Sequence, residues 1–410
     1  MFTFLLRTTA CAVTLLPVLA HAAPLTLDQA VERAVQRSEA IRSAKAGASS
    51  AAETARAAGQ LPDPMLGVAV DNLPVTGADR FSTTRESMTM KRLSLGQEWV
   101  SAQKRQLRTD AARALVSREV ANVGLMLAET RLQTALSFID RYYAGEILQL
   151  AVQAEAHARE AAVTGRARLS TAGASGADVL GLTAAQGASA DDTLDARQQV
   201  ASASVTLARW TGVGASEIAH PPAFVVLSEQ TWIEAHPLVV AKRREIPVAQ
   251  REAASVAANR RPNWTWEVSY GQRTGYSDLL SFGVRIPLPV APAERQDRET
   301  ASKLALVEKA VAEAAEASRA AAAEYQELTS TGQRLEDRIS AYETAVIAPA
   351  VQRTAAARAA LAGNQASLSA VFEARHFELE ARRKLLALTR DLSKVRAQLV
   401  FKPLRAEDLQ

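Results

Sequence analysis

The residues that most often do chemistry are sparse and scattered in this chain. His157, His220, His236 and His376 stand far apart, and none has a second histidine at metal-ligand spacing such as i, i+4. His236 precedes Pro237 and reads as the start of a helix. Met88 and Met90 alternate on a predicted strand, where packing toward lipid explains them better than a soft-metal site. The paired carboxylates Asp191 and Asp192 fall on a predicted helix face and are expected to stay solvated. No phosphate-cradling glycine loop, nucleophile elbow or thiol dyad occurs. We therefore expect no catalytic constellation, no cofactor, no metal site, and a protein that is not an enzyme. A formal charge of +4, spread over many charges of both signs with no basic tract among aromatics, argues against nucleic acid as a partner.

The chemistry-poor residues belong to a chain of 410 residues, 48% hydrophobic and only 5% aromatic, with alanine runs such as Ala320 to Ala323. That composition suits long helices packed closely along their length. Residues 1–22 read as a signal peptide: Arg7, then the apolar run from Cys11 to Ala20, then Ala20-His21-Ala22 as a cleavage pattern. Its removal would take away Cys11, the single cysteine. No later stretch approaches the roughly 18 apolar residues of a membrane helix. Export without a helical anchor leaves the periplasm, secretion, or an outer membrane crossed by β-strands.

Proline placement sets the element lengths. None occurs between Pro74 and Pro221, and only Pro349 interrupts the stretch from Ala293 to Lys402. Proline breaks helix interiors, so these gaps allow very long helices. Leu125, Leu132 and Ile139, with Leu136, Tyr143 and Leu150 beside them, repeat every seven residues, as a coiled-coil seam does. The prolines bracket two strand hairpins, 62–97 and 262–289. In the second, Trp264, Trp266 and Tyr270 alternate with Thr265, Glu267 and Ser269, and Leu280, Phe282 and Ile286 continue the alternation with Arg285 on the other face. In the first, Met65–Val70 and Ser87–Leu95 form a weaker pair, with a phase change near Lys91-Arg92 that predicts a bulge.

The order of elements suggests an internal two-fold repeat. The first unit, 23–230, comprises a helix (26–60), the hairpin 62–97, and a long helical hairpin with its tip at 170–176. The second, 231–410, comprises a helix (231–260), the hairpin 262–289, and a long helical hairpin with its tip at 362–366. Each outgoing arm would span roughly 110 Å at about 1.5 Å per residue. The expected fold is mainly α with a small β part: a long helical coiled-coil barrel, strands at one end and glycine-bearing tips at the other.

Four strands cannot close a membrane barrel, since known barrels begin at about eight. Two outcomes fit the strands alone: several copies closing one barrel with the apolar face toward lipid, or a small soluble sheet capped by helices. The leader, the absence of a membrane helix and the matched arms favour the channel. A soluble periplasmic coiled-coil scaffold or adaptor is the alternative; it explains the helices but not the apolar strand faces.

The chain resembles the TolC-type outer-membrane efflux family over nearly all of its length beyond the leader. The resemblance rests on Leu25-Thr-Leu-Asp-Gln-Ala30, on the two strand pairs, and on Gly173-Ala-Ser-Gly-Ala-Asp-Val-Leu180 after the first tip. It implies a homotrimer with a twelve-stranded barrel in the outer membrane, a helical tunnel through the periplasm, and docking to a periplasmic adaptor and an inner-membrane pump. Leu61-Pro-Asp-Pro-Met65 with Asp71-Asn-Leu-Pro74 is similar to the branch that serves heavy-metal pumps of the resistance-nodulation-division type. The resemblance also implies acidic residues beyond the tips that narrow the entrance. Asp178 matches; Ser369 stands where a carboxylate is often found, with Phe372 and Glu373 following. A solvated helix face explains these carboxylates equally well. The expected site residues are therefore a gate at Asp178, Ser369 and Glu373, and tips for adaptor docking at Gly173, Ser175, Gly176, Gly363, Asn364 and Gln365. The lipid-facing set is Trp264, Trp266, Tyr270, Phe282 and Ile286.

Overall fold

The computed structural model describes residues 24–170, 175–214 and 217–409. The leader with Cys11, and Gly173 at the first tip, lie outside the described residues.

The element order is α1 (Leu27–Arg37), α2 (Glu39–Ala57), β1 (Met65–Asp71), β2 (Met90–Trp99), α3 (Ala102–Leu169), α4 (Gly176–Thr211), α5 (Glu229–Glu234), α6 (Pro237–Ala257), β3 (Trp264–Gln272), β4 (Leu279–Arg285), α7 (Gln296–Tyr342), α8 (Ala348–Ala362) and α9 (Leu368–Phe401). The fold is mainly α with one small sheet, as the sequence predicts. α3 is unbroken for 68 residues, about 100 Å. Shorter helices cover it: α2 and α4 pack along it, and α6 and α9 reach it from the second half. α7 is packed by α6 and α9 in the same way.

The helix boundaries refine the sequence reading. The helix expected over 26–60 is two helices. Ser38 ends α1 in an extended conformation and caps α2 through its hydroxyl, which accepts from the Ile41 amide. The helix expected over 231–260 is split at His236, which N-caps α6 with Pro237 in its first turn. Pro349 does not end the outgoing second arm. A π-helical turn, Glu343–Ile347, directly precedes it and absorbs the lost backbone bond, so helix runs from Gln296 to Ala362.

The predicted seam is buried at its centre. Leu132, Ile139 and Tyr143 join Leu27, Val31, Phe138, Leu207, Ala397 and Phe401 in one core where α1, α3, α4 and α9 meet. Nearer the sheet, small residues do the packing. Ala310, Ala314, Ala317 and Ala321 form a buried stripe on α7 at three- and four-residue steps, which lets helix backbones approach closely. Trp232 is fully buried against Val239, Ala317, Ala321 and Leu399, and its indole N–H donates to the Leu399 carbonyl at 2.9 Å. The C-terminal turn straps α3: Arg131 pairs with the buried Asp408 and, at 3.4 Å, with Glu407. The strap lies so close to Gly124 that a Cβ there would stand 2.8 Å from the Asp408 carbonyl oxygen.

Candidate functional site: sheet faces and helical tips

The four strands form one antiparallel sheet in the order β1-β2-β3-β4. Both predicted hairpins are present, and they join through β2 and β3. Residues in register share a face. The row Leu66, Leu95, Val268, Phe282 crosses all four strands, and the row Val68, Leu93, Tyr270, Leu280 lies beside it. Trp266 pairs with Val284, and Trp99 with Trp264, on this same face. The side chains stand in the open: Val68 is 80% exposed and Phe282 77%. An uncovered apolar sheet face of this extent needs lipid or a partner.

The opposite face is polar and lined with small residues. Thr265, Glu267, Ser269 and Arg285 lie there together, as expected. A diagonal of alternating charge crosses the sheet: Asp71 on β1 pairs with Arg92 on β2 at 2.9 Å, Arg92 approaches Glu267 on β3 at 3.9 Å, and Glu267 pairs with Arg285 on β4 at 3.4 Å. Asp71 and Arg92 escaped the sequence reading because the first hairpin alternates weakly.

Three strand expectations are corrected. β2 pairs without interruption from Met90 to Trp99, so there is no bulge at Lys91-Arg92; Lys91 simply ends the apolar face. Met88 precedes the strand, and Met90 lies on the polar face, where its sulfur fills the space a Cβ on Gly271 would take. Met90 therefore does not lie on the apolar face. Ile286 continues the phase of Phe282 and Val284 but lies one residue past the end of β4. Trp264, Trp266, Tyr270 and Phe282 lie on the apolar face as predicted. Trp99 was missed, because the second strand was expected to end at Leu95.

At the other end, Asp178 is the third residue of α4. Ser175 caps the helix: its hydroxyl accepts from the Asp178 amide at 3.1 Å, and the Asp178 carboxylate accepts from the Ser175 amide at 3.2 Å and hydroxyl at 2.7 Å. Hydrogen bonds from the Ser175 side chain and backbone hold the Asp178 carboxyl below its usual range. Ser369, in the first turn of α9, donates to the other Asp178 oxygen at 3.4 Å. The structure thus brings Asp178 and Ser369 together across the two tips, while Glu373 is exposed one turn further along α9.

The tips differ in detail from expectation. Gly176 is the first helical residue of α4, and Gly363 has a negative φ; it is Asn364, at φ 59°, that takes the left-handed conformation ending the second arm. Gln365 closes the turn through its amide to the Ala360 carbonyl at 2.8 Å. Below the tips, Ala161, Ala162 and Leu182 pack with Leu368 and Phe372, tying the two helical hairpins together.

One charged site near the tips escaped the sequence reading. Glu378 is only 2% exposed and lies between Arg375, at 2.8 Å, and Arg382, at 2.9 Å. Burial works against its charge, but hydrogen bonds from Arg375 and Thr354 and the charges of both arginines outweigh burial and hold the carboxyl below the usual glutamate range. The signal was present: Arg375 and Arg382 stand at i−3 and i+4 on one helix face. Nothing in the sequence said that this face turns inward.

Among the described residues no group of three or more His, Cys, Asp or Glu is placed to hold a metal ion, and no helix is long and apolar enough to cross a membrane.

The chain has the fold of the TolC-type outer-membrane efflux channels. No family model matches its sequence, and no curated protein matches it. The likeness is in structure. It superposes on CusC, whose crystal structures concern folding and transmembrane channel formation, with a TM-score of 0.76 at 15% identity, over 92% of each chain. The outer membrane protein VceC of Vibrio cholerae gives 0.74 at 19% identity, over 91% of this chain and 94% of that one. The Campylobacter jejuni outer membrane channel CmeC gives 0.74 at 12% identity, over 92% and 85%.

Proposed function

We propose that this protein is the outer-membrane channel of a tripartite efflux system, working as a passive conduit. The observation that carries this reading is the two-faced sheet, apolar and exposed on one side, polar and charged on the other. Closed around an axis by further copies, such a sheet puts its apolar side toward lipid and its charged diagonal toward water. Three copies supply the twelve strands the family resemblance implies, so the working assembly is a homotrimer. The two halves of the chain, 23–230 and 231–410, are read as copies of one structural repeat.

The helical arms extend into the periplasm. Their tips, Gly173, Ser175 and Gly176 in the first and Gly363 to Gln365 in the second, are read as the surface for a periplasmic adaptor, with an inner-membrane pump of the resistance-nodulation-division type supplying energy. The cargo is read as heavy-metal cations, from the resemblance of residues 61–65 and 71–74; drugs are the other class of cargo. Asp178, Ser369 and Glu373 are read as the entrance gate, and the Asp178–Ser369 contact as one of the links that hold the tips closed. Opening is then a population shift driven by partner binding.

Fractionation of a Gram-negative host tests the location: the protein should sediment with outer membranes and dissolve only in detergent. Release by osmotic shock alone would instead support the soluble scaffold. In planar bilayers, Asp178→Ala should alter conductance or cation preference; an unchanged channel removes Asp178 from the gate.

A further inference from the structure

A cavity of about 590 Å³ lies where the sheet meets the helices, and nothing in the channel reading assigns it a role. Trp99 and Trp264 form its upper wall, with ring centroids 6.0 Å apart, at the lower margin of the apolar face. Leu107, Ala254, Ala257 and Ala258 supply further apolar lining. Lys104, Arg260 and Arg261 supply charge.

The charge arrangement is built rather than incidental. Lys104 is only 7% exposed, and its ammonium donates to the Asn263 side-chain oxygen at 2.9 Å. Asn263 is itself oriented by donating to Glu98 at 2.7 Å. This fixes the Lys104 nitrogen and leaves two of its donors for a ligand. Burial lowers the Lys104 pKa, and the charge of Arg108 one turn along lowers it further. Arg260 meets Asp297 at 3.7 Å, and the Arg261 side chain has no ion pair among the described residues. Lys104, Arg108, Arg260 and Arg261 thus outnumber Glu98 and Asp297, so the pocket favours an anion.

We propose that this junction pocket binds the headgroup of an anionic phospholipid, its phosphate held by Lys104, Arg260 and Arg261 and the first part of its acyl chains laid against Trp99 and Trp264. The position supports this. Tryptophan belts mark the membrane–water boundary, and basic pockets just beyond an apolar span bind anionic headgroups. Arginine and lysine here stand at the depth where phosphates lie, and the apolar rows begin directly above. The inference rests on the apolar face being in lipid, and the site would anchor the sheet at a fixed depth while the helices below it move.

The test uses the full-length protein in non-ionic detergent micelles doped with equal amounts of phosphatidylglycerol and phosphatidylcholine of the same chain length. Bound lipid is counted by native mass spectrometry. Phosphatidylglycerol should be retained about ten-fold over phosphatidylcholine, and Arg260→Gln with Arg261→Gln, both exposed and outside the core, should reduce that preference at least three-fold. Lys104→Met should do the same, but it alters a buried residue, so the exposed pair carries the decision. Equal retention of the two lipids, or an unchanged preference in the double variant, overturns the proposal. So does complete displacement by millimolar inorganic phosphate, which would make this a free-anion site. Conductance in phosphatidylcholine bilayers is measured in parallel. A protein that conducts but shows no lipid preference refutes the pocket and leaves the channel; one that shows the preference but is released by osmotic shock without detergent refutes the channel and leaves the pocket.

Discussion

Phe282 and Ser281 are adjacent on β4 and face opposite sides of the sheet, so arginine at each position asks which side meets lipid. β3 spans Trp264 to Gln272, nine residues. At about 3.3 Å per residue and a tilt near 40°, that is roughly 23 Å of height, close to the ~25 Å apolar band of outer-membrane barrels. Phe282 pairs with Val268, the middle residue of β3, which puts it near the midplane. An arginine facing lipid at that depth costs about 2–4 kcal/mol per copy, multiplied by the copies in the assembly, whereas an arginine facing the lumen costs little. Phe282→Arg should therefore abolish outer-membrane accumulation, or lower the thermal stability of the detergent-extracted oligomer sharply. Ser281→Arg, opposite Ser269 on the polar face, should assemble normally and shift conductance toward anions. Heat-modified mobility on gels reads assembly, and reversal potentials in a salt gradient read selectivity. If Ser281→Arg is the damaging variant, or both are equally tolerated, the assignment of faces is wrong.

Breaking the Arg131–Asp408 pair with Asp408→Ala leaves a nearly buried arginine with only the exposed Glu407 beside it. The loss should fall at the low end of the ~3–5 kcal/mol range for such pairs, read as faster hydrogen exchange in residues 121–131; an unchanged exchange rate would mean the strap is not held there. Glu378→Ala strands Arg375 and Arg382 near the tips, and because Arg382 is half-exposed the cost should be about 2–3 kcal/mol. Its reading is a higher open probability in bilayers, and an unaltered open fraction counts against a role in tip packing. His236 is buried, and burial and Lys402 lower its pKa despite Glu324. The unfolded chain therefore takes up the proton first, and stability should fall as pH drops below the unfolded value of about 6.5, toward the depressed folded value. In His236→Gln that slope in thermal melting should flatten, and an identical slope would assign the pH dependence elsewhere.

Much of this architecture is local in origin, and local causes are legible. The absence of proline between Pro74 and Pro221 allows α3, the apolar alternation of Trp264 to Tyr270 sets β3, and the small polar residues near Ser175 and Asn364 mark the tips. The seven-residue spacing of Leu132 and Ile139 marks the helix face that the core buries. Where the sequence reading failed, the deciding forces act between segments distant in the chain. The phase of β2 is set by pairing with β1 on one side and β3 on the other, which carries the strand to Trp99 and turns Met90 to the polar face. The helix over 26–60 breaks at Ser38, which also contacts Thr130 of α3 at 3.3 Å.

Residues that could do chemistry are sparse in this sequence, and what it carries instead are faces: the apolar and polar sides of the strands and the buried seam of a long helix. The amino-acid order by itself determined where the long helices and the two hairpins fall and the two-faced alternation of β3 and β4, because each depends on neighbours within a few residues. Only the tertiary structure decided that both hairpins join in one sheet with a common apolar face, that Asp71, Arg92, Glu267 and Arg285 form one diagonal, and that Ser369 meets Asp178 across the tips. It also decided that Lys104, Arg260 and Arg261 surround one cavity beside two tryptophans. These are contacts between residues up to two hundred positions apart, fixed by strand register and helix packing, and no local pattern encodes them.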